Sequence, residues 1–224
     1  MANGILLTFF GADLAFLLGG VLLLVGGLVM EMVLNGTKTV GNVDKILLLQ
    51  MFPIKGAIVN AIFVFITFVM SLLGIMLPGN RFWLKCHGYF VWFCAVFTTV
   101  LGLVVWFETL KTRSNLDALW GRQSAQIQSL LQQRFDCCGY TNSTSPPFIQ
   151  DSVCTTPLVA AQKGGCATPF TSFANPFLDI IFTADFGIVA IDMILLLCVA
   201  VVVKDRKEKE RYRLIDAKNG FQGI

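Results

Sequence analysis

Apolar residues along this chain gather into four long runs, and polar residues collect between them. The runs cover Phe9–Leu34, Gly56–Leu77, His87–Leu110 and Ile180–Val203. A helix that crosses a bilayer needs about 20 mainly apolar residues, and each run reaches that length. Backbone groups in lipid must bond within their own segment, so the runs are predicted as helices. The first run lacks the basic flank and small-residue cleavage pattern of a signal peptide and is too long for one, so it reads as a retained span.

The pattern predicts an all-α membrane protein with four transmembrane helices and one small, mainly helical, disulfide-stapled large extracellular loop. The expected order is a cytoplasmic N-terminus (1–8), a first span (9–34), a small extracellular loop (35–55) and a second span (56–77). A cytoplasmic loop (78–86) turning at Pro78-Gly79-Asn80 follows, then a third span (87–110) and the large extracellular loop (111–178). A fourth span (179–203) and a cytoplasmic tail (204–224) complete the chain. Composition agrees: the 224 residues are 55% hydrophobic and 14% charged, against about 25% charged in a typical soluble domain.

Charge and sulfur set the expected orientation. The tail carries seven Lys and Arg (Lys204, Arg206, Lys207, Lys209, Arg211, Arg213, Lys218), interleaved with Asp205, Glu208, Glu210 and Asp216. Arg81 and Lys85 add to the loop after the second span. Basic residues favour the cytoplasmic face, although Lys38, Lys45 and Lys55 blur the signal. The cysteines are independent of it. Cys137, Cys138, Cys154 and Cys166 all lie in the one long polar stretch. Four cysteines there read as two disulfides, which persist on the oxidising side of a membrane. Three connectivities are open, and a bond between adjacent cysteines is strained, which leaves two. A zinc site is the rival use of four cysteines, but adjacent ligands fit its usual spacing poorly.

Inside the large loop, Leu116, Leu119, Trp120, Ile127, Leu130, Leu131 and Phe135 recur mostly at three- and four-residue steps. This predicts one amphipathic helix continuing from the third span and stopping at the cysteine pair. Gly139 is placed for a positive φ. The stretch Ser143–Phe173, with Pro146, Pro147, Pro157, Pro169 and Gly164-Gly165, is expected not to form a long helix. Small residues mark the first two spans: Gly11, Ala15 and Gly19, the seven-residue pairs Gly19/Gly26 and Gly20/Gly27, and the stripe Gly56, Asn60, Thr67, Ser71, Gly74. They predict close packing of these spans as a left-handed antiparallel pair.

Cys137-Cys138-Gly139, preceded by Gln126-Ile127-Gln128 and Leu130-Leu131-Gln132-Gln133-Arg134-Phe135 and followed by Cys154 and Cys166, resembles the tetraspanin family. The likeness covers the whole four-span layout. Claudins also have four spans, but their cysteine pair is in the first outer loop, which here has none. The resemblance implies the pairing Cys137–Cys166 and Cys138–Cys154. It implies a non-enzymatic scaffold that gathers partner membrane proteins into microdomains at the plasma or endosomal membrane. The compact ends and short loop resemble fungal tetraspanins associated with appressorium-mediated host penetration and polarised growth. That likeness implies an NADPH oxidase complex among the candidate partners, with weak homo- or hetero-association. It also implies a bound sterol or other lipid between the spans, with the large loop lifting when a partner binds.

Single residues sharpen these expectations. Asp192 lies deep in the fourth span, where a carboxyl faces the bundle interior. With Asp13 and Asn60 it is a candidate sterol contact, and otherwise it bonds a neighbouring helix, for example at Asn60. Asp13 is expected to snorkel toward the cytoplasm. Cys86 and Cys198 are candidate palmitoylation sites, with Cys94 an inert core residue. Asn142-Ser143-Thr144 and Asn35-Gly36-Thr37 are candidate glycosylation sequons. His87, the sole histidine, reads as an interfacial side chain. No catalytic or metal-ligand string is present, and nothing suggests nucleic acid. The alternative function is a small carrier or channel using Asp192.

Overall fold

The computed structural model describes residues 2–77, 81–144 and 147–218; the expected turn at Pro78-Gly79-Asn80 and the loop residue Pro146 lie outside the described residues. Eight helices follow one another: α1 Ala2–Leu34, α2 Val43–Leu49, α3 Ile54–Met76, α4 Arg81–Leu110, α5 Thr112–Gly121, α6 Ala125–Phe135, α7 Pro157–Lys163 and α8 Ala167–Lys218. Among the described residues there is no strand, only an isolated bridge between Thr144 and Pro147. Helices α1, α3, α4 and α8 each hold a stretch long and apolar enough to cross a membrane. Their outward side chains are apolar, as with Leu7, Leu22 and Leu197, each more than two-thirds exposed. Only a hydrocarbon surrounding makes such a surface favourable, and the chain is a membrane protein.

Five boundaries differ from expectation, the first being that α1 begins at Ala2, seven residues before 9. The predicted single helix from the third span to Phe135 is broken at Lys111 and again at Arg122–Ser124. At the second break Ser124 is extended, and the Gln128 amide donates to the carbonyls of Trp120 and Gln123 (3.0 and 3.3 Å), bracing the turn between the two helices. The fourth long helix starts twelve residues before 179, at Ala167. Pro169 falls in its first turn, where N–H groups lack helical acceptors anyway. Pro176 sits inside α8 and removes the donor that the Ser172 carbonyl would meet. The tail is helical to Lys218, supported by the Asp205–Lys209 pair at 2.6 Å. Finally α4 begins at Arg81, shortening the loop expected over 78–86.

The chain divides into two compact units. The first comprises Met1–Val25, Lys55–Val100 and Asp185–Ile224. Its core is built from Phe9, Phe16, Val64, Leu84, Val91, Cys94, Leu195 and Val199. Gly20 lets α1 approach α3: a Cβ there would lie 2.4 Å from Val64 Cγ1. Gly11 and Gly26, also singled out by spacing, have nothing within 4 Å of such a Cβ. Gly19 faces Ile188 of α8 instead. Gly20, rather than Gly11, Gly19 or Gly26, therefore sets the α1–α3 approach.

The second unit comprises Gly26–Ile54 and Leu101–Ala184. Its core joins Val43, Leu47 and Leu48 of α2 to Leu116, Trp120, Leu131, Tyr140 and Phe170. Helix α2 falls in the stretch expected only as a small loop. Its Asp44 is fully buried and takes a 2.9 Å ion pair from Arg134 of α6.

Candidate functional site

Two constellations gather buried polar side chains among the described residues. The first lies in the second unit, around Cys137-Cys138-Gly139. Helix α6 ends at Asp136, which adopts the left-handed conformation (φ 51°) and pairs its carboxylate with Lys163. Asp136, not the glycine, makes the first turn out of the helix; Gly139 makes the second at φ 74°. The chain then runs alongside Gly164–Ala167. Cys138 N–H donates to Gly164 O (2.8 Å), Cys166 N–H to Gly139 O (3.0 Å), and Ala167 N–H to Tyr140 O (2.9 Å). Gly165 is required by this approach, since a Cβ on it would lie 2.3 Å from Thr141 O and 2.4 Å from Tyr140 O.

Within that frame Cys137 bonds Cys166 and Cys138 bonds Cys154, with Cα separations of 5.0 and 5.8 Å. Adjacent cysteines thus diverge to two partners: one ties the end of α6 to the start of α8, the other holds the proline-containing segment. The four sulfurs bond one another, which leaves none for zinc.

Gln132 organises the same region. It is fully buried and uses its whole amide. Its Nε2 donates to Ile149 O (2.7 Å) and Asp151 Oδ2 (2.9 Å), while its Oε1 accepts from Gly139 N–H (3.2 Å) and Ile149 N–H (3.1 Å). Burial opposes ionisation of Asp151, but hydrogen bonds from Cys154 N–H, Gln132, Val153 N–H and Ser129 outweigh it. Its carboxyl is held below the ordinary carboxylate value.

The second constellation is a buried polar column in the first unit. Asp13 of α1 accepts from Ser71 Oγ of α3. Its other oxygen faces His87 Nε2 of α4 at 3.5 Å, within ion-pair reach. His87 Nδ1 meets the Thr67 carbonyl at 3.1 Å, and Phe9 packs edge-on to the imidazole ring. Thr67 Oγ1 lies 3.8 Å from Cys94 Sγ. Thr98 donates to Cys94 O (2.9 Å) and accepts from the Asn60 amide at 2.7 Å. Asp13, Asn60, Thr67, Ser71 and His87 are all fully buried. Two expectations are corrected: Asp13 does not snorkel, and His87 is not interfacial. The two groups face each other in a dry interior, where polar groups need partners, yet at 3.5 Å neither Asp13 Oδ1 nor His87 Nε2 has a hydrogen-bond partner among the described residues.

Asp192 is also buried, yet neither of its oxygens has a hydrogen-bond partner. Asn60 donates to Thr98 rather than to Asp192, and its own side-chain oxygen is unbonded. The predicted Asp192–Asn60 bond is absent. Asp192 shares the inward stripe of α8 with Ile188, Leu195, Val199 and Val202, and Asp185 stands seven residues earlier on that stripe. Cys86 and Cys198 are half-buried and Cys94 is buried. Asn35 and Asn142 are exposed. The Asn142 side-chain oxygen accepts from both Thr144 N–H and Thr144 Oγ1 at 2.9 Å, an Asx turn within the sequon itself.

Sequence reasoning missed Gln132, Asp44, Asp151 and the His87 contacts. Gln132 carries no local signal, because a glutamine on an amphipathic helix normally faces water. Ser71 and Thr67 were visible as one stripe but read only as packing. No family model, curated protein or solved structure matches the chain.

Proposed function

We propose that the chain is a tetraspanin-like, non-enzymatic scaffold of the plasma or endosomal membrane. The observation that carries this reading is the divergence of adjacent Cys137 and Cys138 to Cys166 and Cys154, in a helical unit separate from the polar column. Bridges of this kind persist on the oxidising side of a membrane, which supports an outer position for residues 111–178 and the 35–55 stretch. The basic tail then lies in the cytoplasm with the N-terminus. The stapled unit recruits another integral membrane protein, with an NADPH oxidase complex as a candidate in fungal polarised growth and host penetration. Palmitate on Cys86 and Cys198 concentrates the assembly, and glycans on Asn142 and Asn35 mark the outer face.

Asp192, with two unbonded acceptor oxygens, receives the hydroxyl of a sterol or another lipid donor, and Asn60 offers a third oxygen. Asp13, whose Oδ1 is also unbonded, stays a candidate for that contact. The test is affinity purification of the tagged full chain in mild detergent, followed by mass spectrometry, for wild type and Cys138→Ser/Cys154→Ser. A membrane partner that co-purifies with wild type and is lost from the inserted variant supports the scaffold; equal recovery refutes it. The unbonded Asp192 carboxyl also favours a second reading, a small carrier or channel. Flux through reconstituted vesicles that disappears on Asp192→Leu is its signature.

A further inference from the structure

Beyond Val203, the end of its apolar run, α8 remains helical to Lys218. At about 100° per residue, Lys204, Lys207, Arg211 and Lys218 fall on one stripe, together with Leu214 and Ile215. All four cations are exposed. Lys204, Lys207, Glu208, Glu210, Arg211 and Leu214 border an open groove along this face of the helix. Arg206 does not face it; its guanidinium donates to Gly74 O at 2.9 Å, at the end of α3, and so fixes the rotation of the tail helix. Lys209, on the far side, is held by Asp205. Among the described residues no carboxylate pairs with Lys204, Lys207 or Arg211.

The stripe has two tiers. A rise of about 1.5 Å per residue puts Lys204 and Lys207 within about 6 Å of Val203, and Arg211 about 12 Å beyond it. The headgroup layer of one leaflet is about 5–7 Å deep. The first tier therefore stands among phosphodiesters and the second just outside them. We propose that this stripe is a binding site for an anionic phospholipid whose headgroup carries a further phosphate monoester. Lys204 and Lys207 meet the diester, and Lys207 and Arg211 meet the projecting phosphate. Glu208 and Glu210 border the groove too and offset part of its positive charge, so a singly charged lipid gains least there. This inference requires that α8 crosses the bilayer; it does not require the scaffold reading.

The experiment uses the full chain in nanodiscs of phosphatidylcholine with either a bisphosphorylated phosphoinositide or phosphatidylserine, matched in total charge. Lipid bound to the protein is counted by native mass spectrometry. Wild type retains the phosphoinositide in excess over phosphatidylserine. Lys207→Gln/Arg211→Gln reduces that retention by about fivefold for each cation removed, whereas the charge-matched Lys209→Gln/Arg213→Gln leaves it unchanged. Excess soluble inositol trisphosphate displaces a fluorescent phosphoinositide only from wild type and the far-face variant. Equal retention of the two lipids, or equal loss in both double variants, overturns the proposal.

Discussion

Replacing Gln132 by leucine keeps the side-chain volume and deletes four hydrogen bonds at once. The substitution leaves Gly139 N–H fully buried without an acceptor and strands both Ile149 N–H and Ile149 O at half-buried positions. Asp151 loses one donor but keeps Ser129 and two backbone donors. An orphaned buried polar group costs about 1–3 kcal/mol. One full penalty and two partial ones sum to about 3–5 kcal/mol. The bridges remain closed, so the loss shows as local opening of residues 137–154 rather than global unfolding. Hydrogen exchange of the full chain in micelles reads it directly. The Gly139 and Ile149 amides exchange about 100-fold faster or more in Gln132→Leu. Neighbouring Gln133, whose amide donates to Ser129 Oγ at 3.1 Å, is the control; Gln133→Leu changes these rates less than threefold. Equal rates in the two variants would refute the role given to Gln132.

Three further outcomes follow from the same contacts. Gly165→Ala drives a methyl into two backbone oxygens that cannot move aside, so the variant fails to close Cys137–Cys166, seen as labelling of both thiols before reduction; full oxidation at wild-type yield contradicts this. Gly20→Ala destabilises the bundle by about 1–3 kcal/mol against Val64, and Val64→Ala added to it restores most of the loss, whereas Gly11→Ala is neutral; additive thermal shifts for the Gly20/Val64 pair would be the opposing result. Asp151 titrates lower in the folded state, so its stabilisation is complete above the ordinary carboxylate value near 4. That stabilisation is lost as pH falls through the lower folded value. Asp151→Asn flattens the acid limb of loop unfolding followed by near-ultraviolet circular dichroism, and an unaltered limb argues against the cage around this carboxylate.

What the sequence made legible follows period and reach. Four spans could be read because an apolar run of about 20 residues suits a bilayer and little else. The cysteine pairing could be approached only through resemblance, since spacing alone left two connectivities. Helix α2 was hidden: Val43, Ile46, Leu47 and Leu48 are apolar at helical steps, but seven residues are too few to outweigh a loop assignment. The break at Arg122–Ser124 was hidden as well, because α5 and α6 face one core and keep a common apolar rhythm across it. His87 and Asp13 were each judged alone. Their meeting depends on how α1, α3 and α4 are rotated, and no local pattern encodes that rotation. Gln132 is the plainest case, because its partners lie at Gly139, Ile149 and Asp151, and only the closed loop brings them together.

The measurement that bears most directly on the account is alkylation of intact cells with a membrane-impermeant maleimide, before and after an impermeant reductant. The account predicts that Cys137, Cys138, Cys154 and Cys166 are unlabelled at first, and that all four become labelled after reduction without permeabilisation. Labelling of those thiols in untreated cells, or labelling that requires the membrane to be opened, would contradict it.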